Sequence, residues 1–179
     1  IVTGGRTDPP ADPGDGYASS ATEIYNGISW NADAVLTNPN EEMAGMGSVN
    51  AFLAAGGQPA VAWSGSYEFN GTAWSVGGAL GTARYGGAGA GTQNAALFMG
   101  GWTGAPSPNY RSETEHYDGS AWTAGGSMLG GYSNLAGTGL QNAALAMGGG
   151  VGSPYACSTE YDGSAWSAGG ALITGRYYV

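Results

Sequence analysis

One short motif occurs four times in this chain: an aromatic residue, Asn or Asp, Gly, and a Trp three residues after the Gly. The copies span residues 25–30, 69–74, 117–122 and 161–166, and their Trp residues lie 44, 48 and 44 positions apart. A period of 40 to 50 residues is typical of repeat architectures, in which one supersecondary unit packs against copies of itself. The sequence therefore predicts a modular fold.

A second motif, a short apolar run that ends in two glycines, follows the first three Trp residues at a constant distance. Its copies span residues 50–57, 94–101 and 142–149, each starting 20 residues after a Trp, and a truncated copy at residues 1–5 opens the chain. The distance from the double Gly to the next Trp varies, at 26, 18, 22 and 18 residues. All length variation therefore lies between the double Gly and the aromatic–Asx–Gly motif.

These patterns predict short antiparallel strands joined by tight turns. Apolar or alternating runs broken by Gly are typical of strands, and Asx–Gly pairs supply the positive φ that tight hairpins need. One strand precedes each Asx–Gly turn, one follows it, one carries the double Gly, and one lies ahead of that, as at residues 85–91. Four strands per repeat make one propeller blade. The 36 Gly argue against a helical solenoid.

The chain resembles the kelch family of β-propellers. The resemblance rests on the double Gly, the Tyr of the next strand and the Trp of the strand after it, as in Gly100, Gly101, Tyr117 and Trp122. It implies an all-β propeller of four-stranded antiparallel blades, with four blades visible in a single domain over residues 1–179. Arg84 and Arg176 lie ten residues after a Trp, where kelch blades often have Arg, whereas Asn40 and Tyr132 take that place in the other copies.

The amino-acid sequences of the repeats show a second resemblance. Residues 114–126 and 89–97 are similar to kelch-type repeats in structural proteins of tailed bacteriophages. This resemblance implies a place on a virion or another extracellular particle, as part of a larger assembly.

The repeated residues themselves are predicted to be structural. Large aromatics remove the most apolar area from water, so the four motif Trp residues and the aromatics before the turns are expected to pack between blades. The double glycines are expected to allow sharp turns or close backbone approach. Two interpretations of the chain ends stay open. Either the chain is a window on a longer propeller, or residues 173–179 form the strand that completes the blade begun by residues 1–5.

Composition excludes several classes of partner. The chain has no Lys, four Arg and 13 acidic residues, for a net charge of -9. Nucleic acids and anionic membrane surfaces need clustered basic residues, so neither is an expected partner. No apolar run approaches the ~20 residues of a membrane span, so membrane insertion is not expected. Cys157 is the single cysteine, which leaves the redox compartment open.

Catalysis is not expected. A copper site of the kelch-like oxidase type needs two His ligands, and the chain has His116 alone. A sialidase-type site needs a cluster of Arg, but the four Arg are far apart in sequence. Glycoside hydrolysis needs two placed carboxylates, for which Glu113, Glu115 and Glu160 are candidates. A carbohydrate-active enzyme therefore remains an alternative hypothesis.

Ligand binding has better candidates in the variable loops. The kelch resemblance implies that the loops between the second and third strands of each blade engage partners. These loops contain Trp and Tyr side chains that, if exposed, can stack on sugar rings or anchor a protein interface. The candidates are Trp63, Trp102, Tyr17, Tyr110 and Tyr155.

A calcium site is a second hypothesis. The longest variable loop carries Asp8, Asp12 and Asp15, whose hard oxygen ligands suit Ca²⁺. No other cofactor is expected. The function predicted from sequence is a non-enzymatic binding module of a virion that presents aromatic loops to a host glycan or a neighbouring subunit, with a purely structural decoration protein as the alternative.

Overall fold

The computed structural model describes residues 1–7, 17–104 and 109–178. Within those ranges it contains short strands and no helix. In chain order the strands are β1 (Val2–Thr3), β2 (Arg6–Thr7), β3 (Tyr17–Ala18), β4 (Thr22–Tyr25), β5 (Trp30–Ala32), β6 (Ala44–Ser48), β7 (Ala51–Ala55), β8 (Ser66–Phe69), β9 (Trp74–Val76), β10 (Ala88–Thr92), β11 (Ala95–Met99), β12 (Thr114–Tyr117), β13 (Trp122–Ala124), β14 (Ser133–Leu140), β15 (Ala143–Gly150), β16 (Ser158–Tyr161) and β17 (Trp166–Ala168).

The strands form antiparallel sheets that follow the sequence repeat. The second sheet has the order β6-β7-β8-β9, the third β10-β11-β12-β13 and the fourth β14-β15-β16-β17. The first sheet has three strands, β1-β4-β5, and β2 and β3 form a separate two-stranded ribbon. The predicted all-β, antiparallel, blade-like organisation is confirmed.

The first sheet differs from the prediction for the chain ends. β1 pairs with β4 alone, and residues 171–178 contain no strand. The interpretation in which residues 173–179 supply the first strand of this sheet is therefore wrong as far as residue 178. The backbone of that segment turns instead toward the fourth sheet, where the Arg176 N–H bonds the carbonyl of Tyr155 at 3.2 Å.

The Asx–Gly pairs form hairpin loops, but only the Gly adopts a positive φ. In the third sheet Tyr117 pairs with Trp122 across the loop, and Gly119 has a φ of 92°. Asp118 instead acts through its side chain, since its Oδ1 accepts hydrogen bonds from the N–H groups of Ser120 and Ala121, each at 2.8 Å. The same bonds recur at Asn26, Asn70 and Asp162. The turn therefore needs an acceptor at the first position and Gly at the second.

The double Gly lets the chain turn where two segments approach closely. Gly56 and Gly57 have φ of 66° and 103°, a region that Gly enters without strain. The Gly57 N–H bonds the carbonyl of Arg84 at 3.0 Å, and a Cβ on Gly56 would lie 2.6 Å from that same carbonyl oxygen. The predicted role of the double Gly as a point of close approach is confirmed at this position.

The hydrophobic core lies between the faces of successive sheets. One cluster joins the second and third sheets through residues such as Leu53, Phe98 and Trp122. Another joins the third and fourth sheets through residues such as Met99 and Trp166. The Trp166 Nε1 also donates a hydrogen bond to Thr114 Oγ1 at 3.0 Å, whereas the Trp122 Nε1 is buried without a partner among the described residues. The predicted packing between blades is confirmed at these two Trp residues.

The first copy of the motif is an exception. Trp30 is 53% exposed and Tyr25 is 49% exposed, whereas Trp166 is 7% exposed. The prediction that all four motif Trp residues are buried between neighbours is therefore wrong for Trp30. The reason is that no described part of the chain covers this face of the first sheet.

Candidate functional site

Trp102 lies at the centre of an aromatic cluster. Its backbone exchanges hydrogen bonds with Tyr85 at 2.8 and 3.0 Å, so the two chain segments run as a short antiparallel bridge. The ring centroid of Trp102 lies 5.2 Å from that of Tyr85 and 5.9 Å from that of Tyr110, with the Tyr110 ring almost parallel. The structure therefore brings together two of the predicted candidates, Trp102 and Tyr110.

A cavity of about 200 Å³ opens beside Trp102. It is lined by Trp102, Tyr110, Ser133, Asn134, Gly150, Gly152, Tyr177 and Tyr178. We call it the Trp102 cavity. Four of its side chains are aromatic, two are small polar groups, and none is charged. A cavity with this lining is suited to a small neutral molecule that has both apolar faces and hydroxyl groups.

A backbone ladder places two of the lining residues. Glu42, Gly86, Asn134 and Tyr178 each lie twelve residues after a motif Trp, and all four have a φ in the left-handed region, between 54° and 61°. The backbone N–H of each of the last three donates to the carbonyl of the one before it. The distances are 3.1 Å from Gly86 to Glu42, 2.6 Å from Asn134 to Gly86 and 2.9 Å from Tyr178 to Asn134. The ladder fixes Asn134 and Tyr178 at the rim of the cavity.

Acidic groups lie on one side of this cluster. Burial, and then the neighbouring charge of Glu41, raise the pKa of the Glu42 carboxyl above its ordinary value. Burial, and then the charge of Glu42, raise the pKa of the Tyr85 hydroxyl. An anion would meet this negative field, so the surroundings of the Trp102 cavity favour a neutral ligand.

The Trp102 indole has an unused donor. Its Nε1 is buried and has no hydrogen-bond partner among the described residues. Contact with the tilted Tyr85 ring and stacking against the Tyr110 ring hold the indole instead. An unsatisfied buried N–H of this kind destabilises by about 1–3 kcal/mol, and a partner that reached it would remove that cost.

Trp63 lies in a different place. Its ring stacks on Tyr67, with centroids 4.9 Å apart, and lines a cavity of about 350 Å³ with Asn38, Pro39, Asn40, Pro59 and Tyr67. The Trp63 backbone is fixed by an N–H bond to Gly57 at 2.8 Å. The Trp102 and Trp63 cavities share no lining residue, so the two sharpest sequence candidates do not form one site.

The remaining candidates stand apart from both cavities. The Tyr155 ring meets Tyr132 edge-on at 6.0 Å, and Tyr17 is 68% exposed in β3, where it pairs with Thr7. Asp8, Asp12 and Asp15 lie outside the described residues, so the calcium hypothesis stays a prediction. Within the described ranges, no group of three or more His, Cys, Asp or Glu is placed to hold a metal ion.

The candidate catalytic residues are engaged in structural contacts or stand exposed. Glu115 forms an ion pair with the buried Arg84 at 2.6 Å, and Glu113 pairs with Arg111. Glu160 is exposed on β16. His116 Nε2 is hydrogen-bonded to the Tyr161 hydroxyl at 2.7 Å. The Glu115–Arg84 and His116–Tyr161 contacts join neighbouring repeats, whereas Glu113 and Arg111 lie two residues apart in one segment.

Sequence analysis missed Asn134, Tyr177 and Tyr178 as cavity residues. The available signal was periodic: Tyr177 and Tyr178 occupy positions eleven and twelve after Trp166, the same phase as Ser133 and Asn134 after Trp122. That phase places both pairs at the ladder, beside the loop that carries Trp102.

Comparison with solved structures finds a protein of similar fold. No family model matches the chain, and no curated protein matches it. A solved structure described as "Structure of YjhT" is similar over 98% of this chain and 68% of its own, with a TM-score of 0.77 and 12% sequence identity. At this identity the likeness concerns the fold alone. The described part of the chain contains no helix that is long and apolar enough to cross a membrane.

Proposed function

We propose that this chain is a kelch-like β-propeller module of a bacteriophage virion that binds neutral glycans through the Trp102 cavity without catalysing a reaction. The Trp102 cavity carries the proposal, because it combines four aromatic rings with the amide of Asn134 and the hydroxyl of Ser133. Aromatic faces stack on the C–H faces of sugars, and a few placed polar groups fix their hydroxyls.

The size and charge of the cavity narrow the ligand class. Its volume of about 200 Å³ is below the ~300–1,000 Å³ typical of pockets for drug-sized ligands, so it suits one sugar ring of a longer glycan. The uncharged lining and the nearby Glu42 favour neutral sugars over sialylated or sulfated ones. The unpartnered indole N–H of Trp102 offers a further donor if the ring turns toward a bound sugar.

Two features support the propeller and its setting on a virion. The first strands of the second, third and fourth sheets, β6, β10 and β14, lie in succession beside one another, as the inner strands of propeller blades do. The repeats resemble those of phage structural proteins, and a surface low in charged residues suits an extracellular particle. A structural decoration protein is the alternative if no ligand is bound.

A glycan array tests this proposal. The parent chain is expected to bind neutral glycans, and Trp102→Ala is expected to weaken that binding at least about tenfold, as for a central aromatic contact. Trp63→Ala is the matched control and is expected to keep the binding. Asn134→Gly is a second variant: it removes the cavity's amide while keeping the left-handed φ, since Gly86 holds the equivalent position.

Three outcomes would contradict the proposal. These are a folded parent that binds no glycan, binding that survives both Trp102→Ala and Asn134→Gly, and binding confined to sialylated or sulfated glycans. The first of these would favour the structural alternative.

A further inference from the structure

Successive sheets meet through an interface that repeats along the chain. At the first and third of these interfaces the motif Trp of the later sheet also hydrogen-bonds the sheet before it, whereas at the second the Trp122 Nε1 is buried without a partner among the described residues. The Trp74 Nε1 donates to Thr22 Oγ1 at 3.0 Å and to a backbone carbonyl of the first sheet at 2.9 Å. The Trp166 Nε1 makes the same pair of bonds with Thr114 and a carbonyl of the third sheet, at 3.0 and 3.1 Å. Each sheet thus has a face that offers a Trp and an opposite face that receives one.

Two such faces lack a partner in the described structure. On the first sheet, Trp30 is 53% exposed with no sheet before it. On the fourth sheet, Ser158 and Gly170 hold the positions that receive a Trp, and the Ser158 hydroxyl donates to the Gly170 carbonyl at 2.6 Å. The offering face of the first sheet and the receiving face of the fourth sheet are therefore of the two types that meet elsewhere in the chain.

The polar pairs at this interface are matched in chemical type. The residue six positions before a motif Trp meets the residue five positions before the next motif Trp. Tyr117 bonds the Glu68 carboxylate, and His116 Nε2 bonds the Tyr161 hydroxyl at 2.7 Å. At the first interface both positions are apolar, namely Ile24 and Phe69.

On the two unpartnered faces, the residues at these positions also form a matched pair. Glu160 is exposed on the fourth sheet, and Tyr25 is 49% exposed on the first. A carboxylate facing a Tyr hydroxyl is the same pair that joins Glu68 to Tyr117 between the second and third sheets.

Charge shows the same correspondence. The residue ten positions after a motif Trp reaches the residue seven positions before the next one, and Arg84 there pairs with Glu115 at 2.6 Å. The leftover halves are Arg176 on the fourth sheet and Glu23 on the first, both exposed. At the other two interfaces neither position is charged; they hold Asn40 with Tyr67 and Tyr132 with Thr159. Arg and Glu thus occur only together at these paired positions.

Apolar surface completes the receiving face. A cavity of about 540 Å³ is lined by Ala136, Met147, Ala171, Leu172, Ile173 and Arg176. In the third sheet, Ala88, Met99 and Met128 stand at the positions equivalent to Ala136, Met147 and Leu172, and all three are buried against the fourth sheet. The cavity is therefore the space that a neighbouring sheet of the same kind fills elsewhere in this chain.

We propose that the receiving face of the fourth sheet binds the offering face of the first sheet of a second copy of this chain. The occupant follows from continuity with the interfaces inside the chain, above all the one between the second and third sheets, which carries both an Arg–Glu and a Glu–Tyr pair. Arg176 then pairs with the Glu23 of the other copy, and Glu160 accepts from its Tyr25. Such a head-to-tail contact uses two different surfaces, so it forms closed rings or open chains rather than a two-fold isologous pair.

Sedimentation analysis of charge variants tests this contact. The parent is expected to self-associate with increasing concentration, and Arg176→Glu and Glu23→Arg are each expected to weaken association at least about tenfold, because each opposes two like charges. An equimolar mixture of the two variants is expected to recover a mixed complex, since each copy then offers the other at least one matched pair. Val61→Glu, an exposed change outside both faces, is the control.

Several results would overturn the contact. One is a parent chain that stays monomeric at millimolar concentration. This result would overturn the contact both if Trp30 is open to a soluble quencher and if closure within one chain shields it. Another is association that neither charge variant weakens, or a mixture that associates no better than its components. Unchanged thermal unfolding of each variant, measured at a concentration where all are monomeric, verifies that the charge changes leave the fold intact.

Discussion

Trp166 and Trp30 end the same motif but lie in opposite environments. Trp166 is 7% exposed and bonds Thr114 of the third sheet, whereas Trp30 is 53% exposed on the first sheet. The hairpins that hold them are alike, since each pairs the motif aromatic with its Trp across an Asx–Gly loop. The repeat therefore fixes the local conformation, and the presence of a neighbouring sheet decides how much each side chain contributes to stability.

The largest expected difference lies at the two Arg positions. Arg84→Ala is expected to destabilise the fold by about 3–5 kcal/mol, because it leaves the Glu115 carboxylate buried without its counter-charge. Arg176→Ala is expected to change the free energy of unfolding by less than about 0.5 kcal/mol at a concentration where the chain is monomeric. Urea unfolding of both variants measures the contrast. Equal effects would show that the two positions do not differ in the way their burial indicates.

The Trp positions are expected to show a smaller contrast. Trp166→Phe is expected to destabilise by about 1–3 kcal/mol, since it leaves the buried Thr114 Oγ1 and the partly buried Gly126 carbonyl without their donor. Trp30→Phe is expected to have little effect on the monomer. The same unfolding experiment compares them, and a Trp30→Phe variant as unstable as Trp166→Phe would contradict the comparison.

The sequence predicts structural features that depend on local contacts better than those that depend on contacts between distant segments. The Asx–Gly hairpins and the double-Gly turns are local, so Asp118 and Gly56 are found where the pattern predicts them. The exposure of Trp30 and the place of Tyr178 beside Asn134 depend on segments far apart in sequence. Periodicity gives the phase of such residues but cannot tell whether a neighbour covers them.

The binding candidates illustrate the same limit. The sequence predicts a binding role for Trp102 and Trp63 alike, because both lie in variable loops and outside the repeated Trp position. The structure separates them, since Trp102 gathers Tyr110 and Tyr178 around a cavity while Trp63 stacks on the core residue Tyr67. Only the three-dimensional path of the chain distinguishes the two.

Tyr117 and Tyr25, the motif aromatics of the third and first sheets, are expected to differ in how they affect stability at high pH. Burial, and then the hydrogen bond to Glu68, raise the pKa of Tyr117 to about 12. A raised folded pKa means that this contribution is present in full below the ordinary value near 10 and is lost as pH rises through about 12.

Tyr117→Phe is expected to reduce the decline in stability between pH 10 and 12 and to destabilise by about 1–2 kcal/mol at pH 7. Phe69 fills the equivalent position in the second sheet, so the ring itself is tolerated. Tyr25→Phe, on the exposed face, is the control and is expected to leave both quantities unchanged in the monomer. Unfolding followed across this pH range measures both variants.

The smallest expected effect concerns the turns. Hydrogen bonds from Ala121 and Ser120 lower the pKa of Asp118, and those from Ala165 and Ser164 lower the pKa of Asp162. A lowered folded pKa means that this contribution is present above the ordinary value of 3.8 and is lost as pH falls through the folded value.

The double variant Asp118→Asn, Asp162→Asn is expected to match the parent at pH 7 and to lose less stability below pH 4. Asn26 and Asn70 already fill the equivalent turns, so the change is structurally neutral. Thermal unfolding between pH 2 and 7 tests this, and a variant as acid-sensitive as the parent would contradict it.

The most direct test of the proposed function observes the two loop Trp residues separately. The chain has six Trp, so 5-fluorotryptophan labelling gives six ¹⁹F signals, of which Trp102→Phe and Trp63→Phe assign the two of interest. Titration with a panel of neutral glycans is expected to shift the Trp102 signal and leave the Trp63 signal in place. A folded chain whose Trp102 signal does not move with any glycan, or in which Trp63 alone responds, would contradict glycan binding in the Trp102 cavity.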